Sequence, residues 1–181
     1  TFASSLTNGD AVLARFDQRN IRLQATKCHW FFRELRLLGH IVTGHGTKPD
    51  PIKLSALRDL AAPTDVATLS HFIGLAGYYM RYVPDFAFLC APLFALRKKG
   101  VAWTWTAEHA AAFTSIVDAL NKPGLLLTHP APDAPLRVET DASMLSIAGC
   151  LMQLLPGDDE WRPIAFASRC LTSAERNYSV T

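Results

Sequence analysis

From residue 52 onward the hydrophobic period of this chain changes once, at Pro123-Gly124, and that change limits what it can fold into. Before it, apolar residues recur at helical spacing. Leu69, Phe72, Ile73, Ala76 and Met80 form one stripe, as do Phe86, Leu89, Cys90, Leu93 and Leu96, and then Phe113, Ile116, Val117 and Leu120. After it the period is two. Leu136, Val138 and Thr140 alternate with Arg137, Glu139 and Asp141, and further strands are predicted over 147–155 and 163–168 around the turn Pro156-Gly157-Asp158-Asp159. Three strands joined by short turns read as an antiparallel meander, so the fold class is α+β. Such a sheet needs a cover on its back, and a covering helix is expected to begin where the chain ends.

The first quarter is less regular. A helix is expected over 5–19, with Leu6, Val12, Leu13 and Phe16 on one face and Asn20 as a left-handed stop. Short β segments follow at Ile21 and Leu23, at 29–32 and over 35–42. Lys48-Pro49-Asp50-Pro51 is read as unable to continue a strand. Beyond it, Ile52, Leu54, Leu57 and Leu60 make a short helix broken by Pro63. Thr64 or Asp65 caps the next helix, and Thr106 caps the one after Trp103-Thr104-Trp105. Pro84 either ends the central helix or opens its successor.

Composition narrows the function classes. A chain of 181 residues holds one large or two small domains, and 49% hydrophobic with 19% charged residues is ordinary for a globular protein. The net charge of +2 is too small for a whole-surface nucleic-acid signal, so any such role rests on local patches. These are Arg15, Arg19, Arg22 and Lys27, then Arg33 and Arg36, and later Arg97-Lys98-Lys99. Each read alone is a solvated face. Cys28, Cys90, Cys150 and Cys170 are far apart and imply no disulfide framework, so a reducing interior is expected. No apolar run approaches membrane-spanning length, and the N-terminus has no secretory pattern. Cys28, His29, His40 and His45 match no zinc spacing. Gly74-Leu75-Ala76-Gly77 lies mid-helix with no Lys-Ser or Lys-Thr after it, so it is no phosphate loop.

Several short motifs stand in a fixed order. They are Lys27-Cys28-His29-Trp30, Leu37-Leu38-Gly39-His40, Gly46, Pro49-Asp50-Pro51-Ile52-Lys53, Phe72-Ile73-Gly74-Leu75 and Tyr78-Tyr79-Met80-Arg81-Tyr82-Val83. After Pro92-Leu93 and Trp105-Thr106 come Thr140-Asp141-Ala142-Ser143, Gln153, Ser168-Arg169-Cys170-Leu171 and Glu175-Arg176-Asn177-Tyr178. In this order they resemble the Pol polyprotein of gypsy-type LTR retrotransposons along nearly the whole chain. The resemblance implies the C-terminal end of a reverse-transcriptase palm over 1–47 and a mainly helical thumb and connection over 48–124. Over 125–181 it implies the N-terminal half of a ribonuclease H-like domain.

By the same resemblance, Leu38, Gly39 and His40 would grip the primer end, where a glycine lets backbone approach a sugar-phosphate. Gly74, Tyr78 and Arg81 would lie against the template-primer duplex, with Arg81 placed for a phosphate. The alternative for these residues is plain packing, which for Tyr78 and Tyr79 weighs as heavily. Asp141 matches the first of several carboxylates that hold two metal ions for hybrid cleavage. It is the one residue taken as both catalytic and metal-binding, with Mg²⁺ the implied ion of the parent enzyme and the site incomplete here. Glu175 is read as capping a loop or lying on its surface, and Glu139 shares a strand face with Asp141. Asp10 and Asp17 do not match the polymerase carboxylates. The chain is expected to begin after those carboxylates and to stop before the second nuclease carboxylate.

The family's glycines are replaced by Ser146 and Ala148, and a usual Arg by Met80. A positive φ at Ser146 would strain the strand. The implied partners are an RNA–DNA hybrid or duplex and the remainder of the Pol polyprotein, with dNTPs for the parent enzyme and no membrane. The implied place is intracellular, in a cytoplasmic virus-like particle or the nucleus. The implied reaction is RNA-directed DNA synthesis with removal of RNA from the hybrid. The alternatives are a non-catalytic nucleic-acid-binding module or a decayed relic of such an element.

Overall fold

A computed structural model describes residues 2–178 as two compact units, Thr1–Leu35 and Arg36–Thr181. The first unit carries helix α1 (Phe2–Gln18) and a 3-10 turn at Ala25–Lys27. Asn20 takes φ +54° just after α1, the left-handed stop that its short amide side chain tolerates. Helix α1 buries no residue, and Leu6, Val12 and Leu13 are 40–48% exposed, so its apolar stripe is not a core face among the described residues. The strands expected at 21–23 and 29–32 do not form. Phe31 sits at φ +59°, a left-handed kink that an extended run cannot contain.

From Glu34 onward, across the boundary into the second unit, the described residues form two sheets and four α-helices. The first sheet runs β1 (Glu34–Leu37), β2 (His40–Thr43), β3 (Gly46–Pro49) and β4 (Leu127–Thr128), in that spatial order. Leu38 and Gly39 join β1 to β2 with φ +48° and +77°, the paired positive angles of a type I′ turn, which a glycine adopts without strain. β3 overturns the reading of Lys48-Pro49. Ile41 pairs with Lys48 and His40 with Pro49, because Pro49 is the last residue of the strand and the next amide, that of Asp50, donates to the Gly39 carbonyl at 3.0 Å. β4 then pairs with β3 through Gly46–Thr128 and Thr47–Leu127. A side chain at Gly46 would collide with the Leu127 carbonyl, so the close approach of these strands requires glycine.

The helices are α2 (Pro51–Arg58), α3 (Val66–Tyr78), α4 (Phe86–Leu96) and α5 (Ala107–Asn121). Asp50 caps α2 by accepting from Ile52 N at 3.0 Å. Asp65 caps α3 by accepting from Thr68 N at 2.8 Å, while Thr68 Oγ1 accepts from the Asp65 amide. At Thr106 the backbone amide donates to His109 Nδ1 at 3.1 Å. The core lies where these helices meet. Leu69, Phe72 and Ala76 of α3, Cys90 and Leu93 of α4, and Ile116 and Leu120 of α5 are each within 2% of full burial. Burying each leucine or isoleucine contributes roughly 1.5–3 kcal/mol. Met80 leaves the stripe that its spacing implied. The α-helix stops at Tyr78 and a 3-10 turn, Met80–Tyr82, rotates Met80 out to 46% exposure and Tyr82 into the core.

The second sheet is the expected antiparallel meander, β5 (Leu136–Ala142), β6 (Ser146–Gln153) and β7 (Arg162–Cys170). Its register places Asp141 opposite Ala148 and Ala148 opposite Ser168. That face meets α4, where the Ala87 amide donates to Ser168 Oγ at 2.9 Å and Cys170 Sγ lies 3.5 Å from the Ala87 carbonyl. Ser146 is not among the residues with positive φ, so the strain foreseen for it does not arise. Its hydroxyl and that of Ser143 are 3.2 Å apart, and Ser143 Oγ also accepts from the Ser146 amide. Gln153, fully buried, ties the meander to the chain leaving β4: its Oε1 accepts from Ala131 N at 2.9 Å and its Nε2 donates to the His129 carbonyl at 2.6 Å.

Candidate nucleic-acid interface and the Asp141 strand

Three of the predicted contact residues, Leu38, Gly39 and His40, meet the end of α3 through tyrosine hydroxyls. Tyr78 Oη donates to the Leu38 carbonyl, and Tyr79 Oη donates to the Gly39 carbonyl at 3.1 Å. Tyr82 Oη lies 3.0 Å from His40 Nδ1. The His40 ring stacks on Tyr78 at 5.2 Å and 21° and meets Tyr79 edge-on at 5.5 Å. A hairpin tip and a helix end some 40 residues apart in sequence are thereby joined into one surface.

The glycine of the turn has a second reason beyond its dihedral. A Cβ at Gly39 would stand 3.0 Å from Tyr79 Oη and 3.5 Å from Tyr78 Cε1. The space a side chain would need is thus filled by protein. Outward, Leu38 is 79% and Tyr78 51% exposed. Gly74, one turn before Tyr78, has nothing within 4 Å of a would-be Cβ, which leaves bare backbone on that face. Arg81 is exposed, with its guanidinium carbon 6.0 Å from the Tyr82 ring. All six residues named from sequence therefore lie on or beside this hairpin and helix end.

Burial favours the neutral forms of His40, Tyr79 and Tyr82. Burial pushes the Tyr82 phenol up to about 12, with Arg81 opposing in part, and burial also raises Tyr79. Burial, reinforced by the Arg81 charge, lowers His40 below the ordinary imidazole value. Sequence reasoning missed Tyr82 as a partner of His40. The spacing of tyrosines at 78, 79 and 82 could have raised the question, but not its answer across 42 residues.

Asp141 lies near the end of β5, exposed, with Oδ1 accepting from the following amide of Ala142 at 2.9 Å. It shares a cavity of about 280 Å³ with Asp85 and Glu139, whose other walls include Pro84, Cys150 and Phe166. Glu139 pairs with Arg137 at 2.7 Å. Among the described residues no group of three or more His, Cys, Asp or Glu could hold a metal ion. A two-ion centre needs several carboxylates converging on one point. The donor set around Asp141 does not fit one, and no catalytic step follows from these residues alone.

Glu175 is the loop cap that its position implied. It accepts from Arg169 through both oxygens, at 2.7 and 2.8 Å, and from Thr172 N at 2.8 Å. The Arg169 guanidinium and these Thr172 bonds hold its carboxyl down at about 2.

Residues 105–181 match the family described as the RNase H-like domain found in reverse transcriptase. The chain is 34% identical over 98% of its length to the retrovirus-related Pol polyprotein from transposon 297 of Drosophila melanogaster, and 30% identical over 94% to that from transposon gypsy. It spans 17% of the length of each. Among solved structures, the foamy viral protease-reverse transcriptase dRH in complex with ds DNA overlays 99% of this chain and 31% of its own. The TM-score is 0.78 and the identity 24%. The foamy viral protease-reverse transcriptase in complex with RNA/DNA hybrid overlays 99% of this chain and 24% of its own, with TM-score 0.76 and 24% identity. Residues 105–181 are therefore similar to the RNase H-like domain found in reverse transcriptase, and nearly the whole chain is similar to one segment of the Pol polyproteins of retrotransposons such as gypsy.

Proposed function

We propose that this chain is the duplex-gripping segment of a reverse transcriptase/ribonuclease H. The hairpin at Leu38, Gly39 and His40 and the helix end at Gly74, Tyr78 and Arg81 form one binding face for a template-primer duplex or an RNA–DNA hybrid. The observation that carries this reading is the set of tyrosine bonds that fastens the hairpin to the end of α3. A rigid composite face binds a rigid duplex without ordering cost, because its parts are already aligned. Arg81 supplies the charge for a phosphate, and Gly74 lets backbone come close to a sugar. The foamy viral enzymes in complex with duplex DNA and with hybrid, whose fold this chain shares, support the choice of ligand.

The parent reaction we assign is RNA-directed DNA synthesis with cleavage of the RNA strand of the hybrid. The palm end, thumb and nuclease portions divide near residues 47 and 124. Asp141 is the nuclease carboxylate contributed by this segment, completed by ligands elsewhere in a Pol polyprotein, and Mg²⁺ is the ion. Two experiments test the reading. Fluorescence anisotropy of a labelled hybrid against the chain, over a series of salt concentrations, should show log K falling linearly with log salt. Arg81→Ala should make that slope shallower by about one phosphate contact. In a Pol polyprotein carrying this segment, Asp141→Asn should abolish hybrid cleavage and spare primer extension. Absence of binding at low salt refutes the grip, and cleavage undiminished by Asp141→Asn refutes the assignment of that residue.

A further inference from the structure

We propose that Tyr82 is a positioning residue: its hydroxyl donates to His40 Nδ1 and fixes the imidazole in the tautomer that presents an Nε2–H donor outward, toward a phosphate or sugar oxygen of the bound duplex. The inference rests on the nucleic-acid reading above and adds which atom makes the contact and what holds it there.

The direction of the Tyr82–His40 bond follows from burial. Tyr82 is 1% exposed, so its O–H has no water to donate to. Among the described residues its hydroxyl has one hydrogen-bond partner, His40 Nδ1 at 3.0 Å. If Nδ1 carried the proton, the phenol would accept and its own buried proton would be orphaned, a cost that natural interiors avoid. The phenol remains protonated at any pH the protein meets, since burial holds it near 12. The phenol therefore donates, Nδ1 accepts, and the ring proton sits on Nε2.

The second half concerns where Nε2 points. It makes no hydrogen bond within the described residues, yet no half-buried side-chain nitrogen or oxygen is left both buried and unpartnered. Nε2 therefore reaches solvent. Tyr78 stacks on the ring and Tyr79 and Tyr82 flank it at 5.5 and 5.7 Å, which holds its plane, and the Tyr82 bond at Nδ1 sets which edge faces outward. Nearby, the Leu38 carbonyl is occupied by Tyr78, and the Gly39 carbonyl by Tyr79 and by the Asp50 amide. His40 Nε2–H is thus a donor that this corner offers to a backbone oxygen of nucleic acid, beside the cation of Arg81.

The test uses the full chain with ¹⁵N-labelled histidine. Long-range ¹H–¹⁵N correlation at pH 7.5, assigned with the His40 variants, should show His40 as the pure Nε2–H tautomer, a readout that mere packing would not set. Tyr82→Phe should admit the Nδ1–H form. Binding to an RNA–DNA hybrid duplex is then measured by anisotropy. His40→Asn keeps an acceptor where Nδ1 stood and removes the outward donor, and should bind about tenfold more weakly, the worth of one hydrogen bond to a charged oxygen. His40→Gln, whose amide nitrogen reaches the Nε2 position, should restore most of that loss. An Nδ1–H tautomer in the unsubstituted chain overturns the proposal without any variant. So does His40→Asn binding as tightly as the unsubstituted chain, with the grip itself left standing. A chain with the Nε2–H tautomer that binds no hybrid refutes the proposal and the nucleic-acid reading together.

Discussion

Replacing Gln153 by leucine tests how the meander is held to the rest of the second unit. The side chain is fully buried, and its amide closes two bonds, from Ala131 N at 2.9 Å and to the His129 carbonyl at 2.6 Å. Leucine fills nearly the same volume, so the cavity term is small and the lost bonds dominate. An orphaned buried backbone group costs about 1–3 kcal/mol. His129 is exposed and Ala131 half-buried, so water recovers part of that, and the lower end applies to each. The expected destabilisation is about 2 kcal/mol in total. For a unit of this size that lowers Tm by about 4–8 °C. Thermal unfolding followed by circular dichroism measures the midpoint, and amide exchange at Ala131 reports the bond directly. Gln153→Leu with an unchanged midpoint and a still-protected Ala131 amide would refute the reasoning.

Three further outcomes are expected. Asp65→Ala removes the oxygen that accepts from Thr68 N at 2.8 Å and should cost about 1 kcal/mol in urea unfolding, with Asp65→Asn costing less. Gly46→Ala drives a methyl group into the Leu127 carbonyl, so the β3–β4 pairing should open, seen as faster amide exchange across Thr47 and Leu127 with the α3–α5 core still protected. Glu175 has a folded value of about 2, depressed below its ordinary 4.5. The stabilisation it contributes is therefore present above about 4.5 and is lost as pH falls through about 2, and ¹³C titration of its carboxyl should show a midpoint near 2 that returns toward 4.5 in Arg169→Ala.

Helices α3, α4 and α5 and the three strands of the meander were legible because each repeats an apolar residue at its own period, and period survives whatever the neighbours are. The cap at Thr106, and that at Asp65 as one of two candidates with Thr64, were legible because capping is decided within four residues. The strands around 21–32 were misjudged because composition favours extension there while Phe31 takes a left-handed turn. β3 was misjudged because a proline forbids only its own donor, and Pro49 stands where none is needed. Met80 was assigned to the core because the stripe was extended past the point where the α-helix tightens into a 3-10 turn.

The candidate site divides in the same way. The sequence alone determined the order of motifs, the kinship with retrotransposon Pol polyproteins, and the residues at the hairpin tip and helix end. These depend on residue identity and local spacing. Only the tertiary structure decided that Tyr78, Tyr79 and Tyr82 bond to Leu38, Gly39 and His40, and that no set of three or more His, Cys, Asp or Glu converges around Asp141 among the described residues. Each of those facts is a meeting of groups distant in sequence or a choice between competing partners. Such outcomes are set by which surfaces the core brings together, a quantity that no local pattern carries.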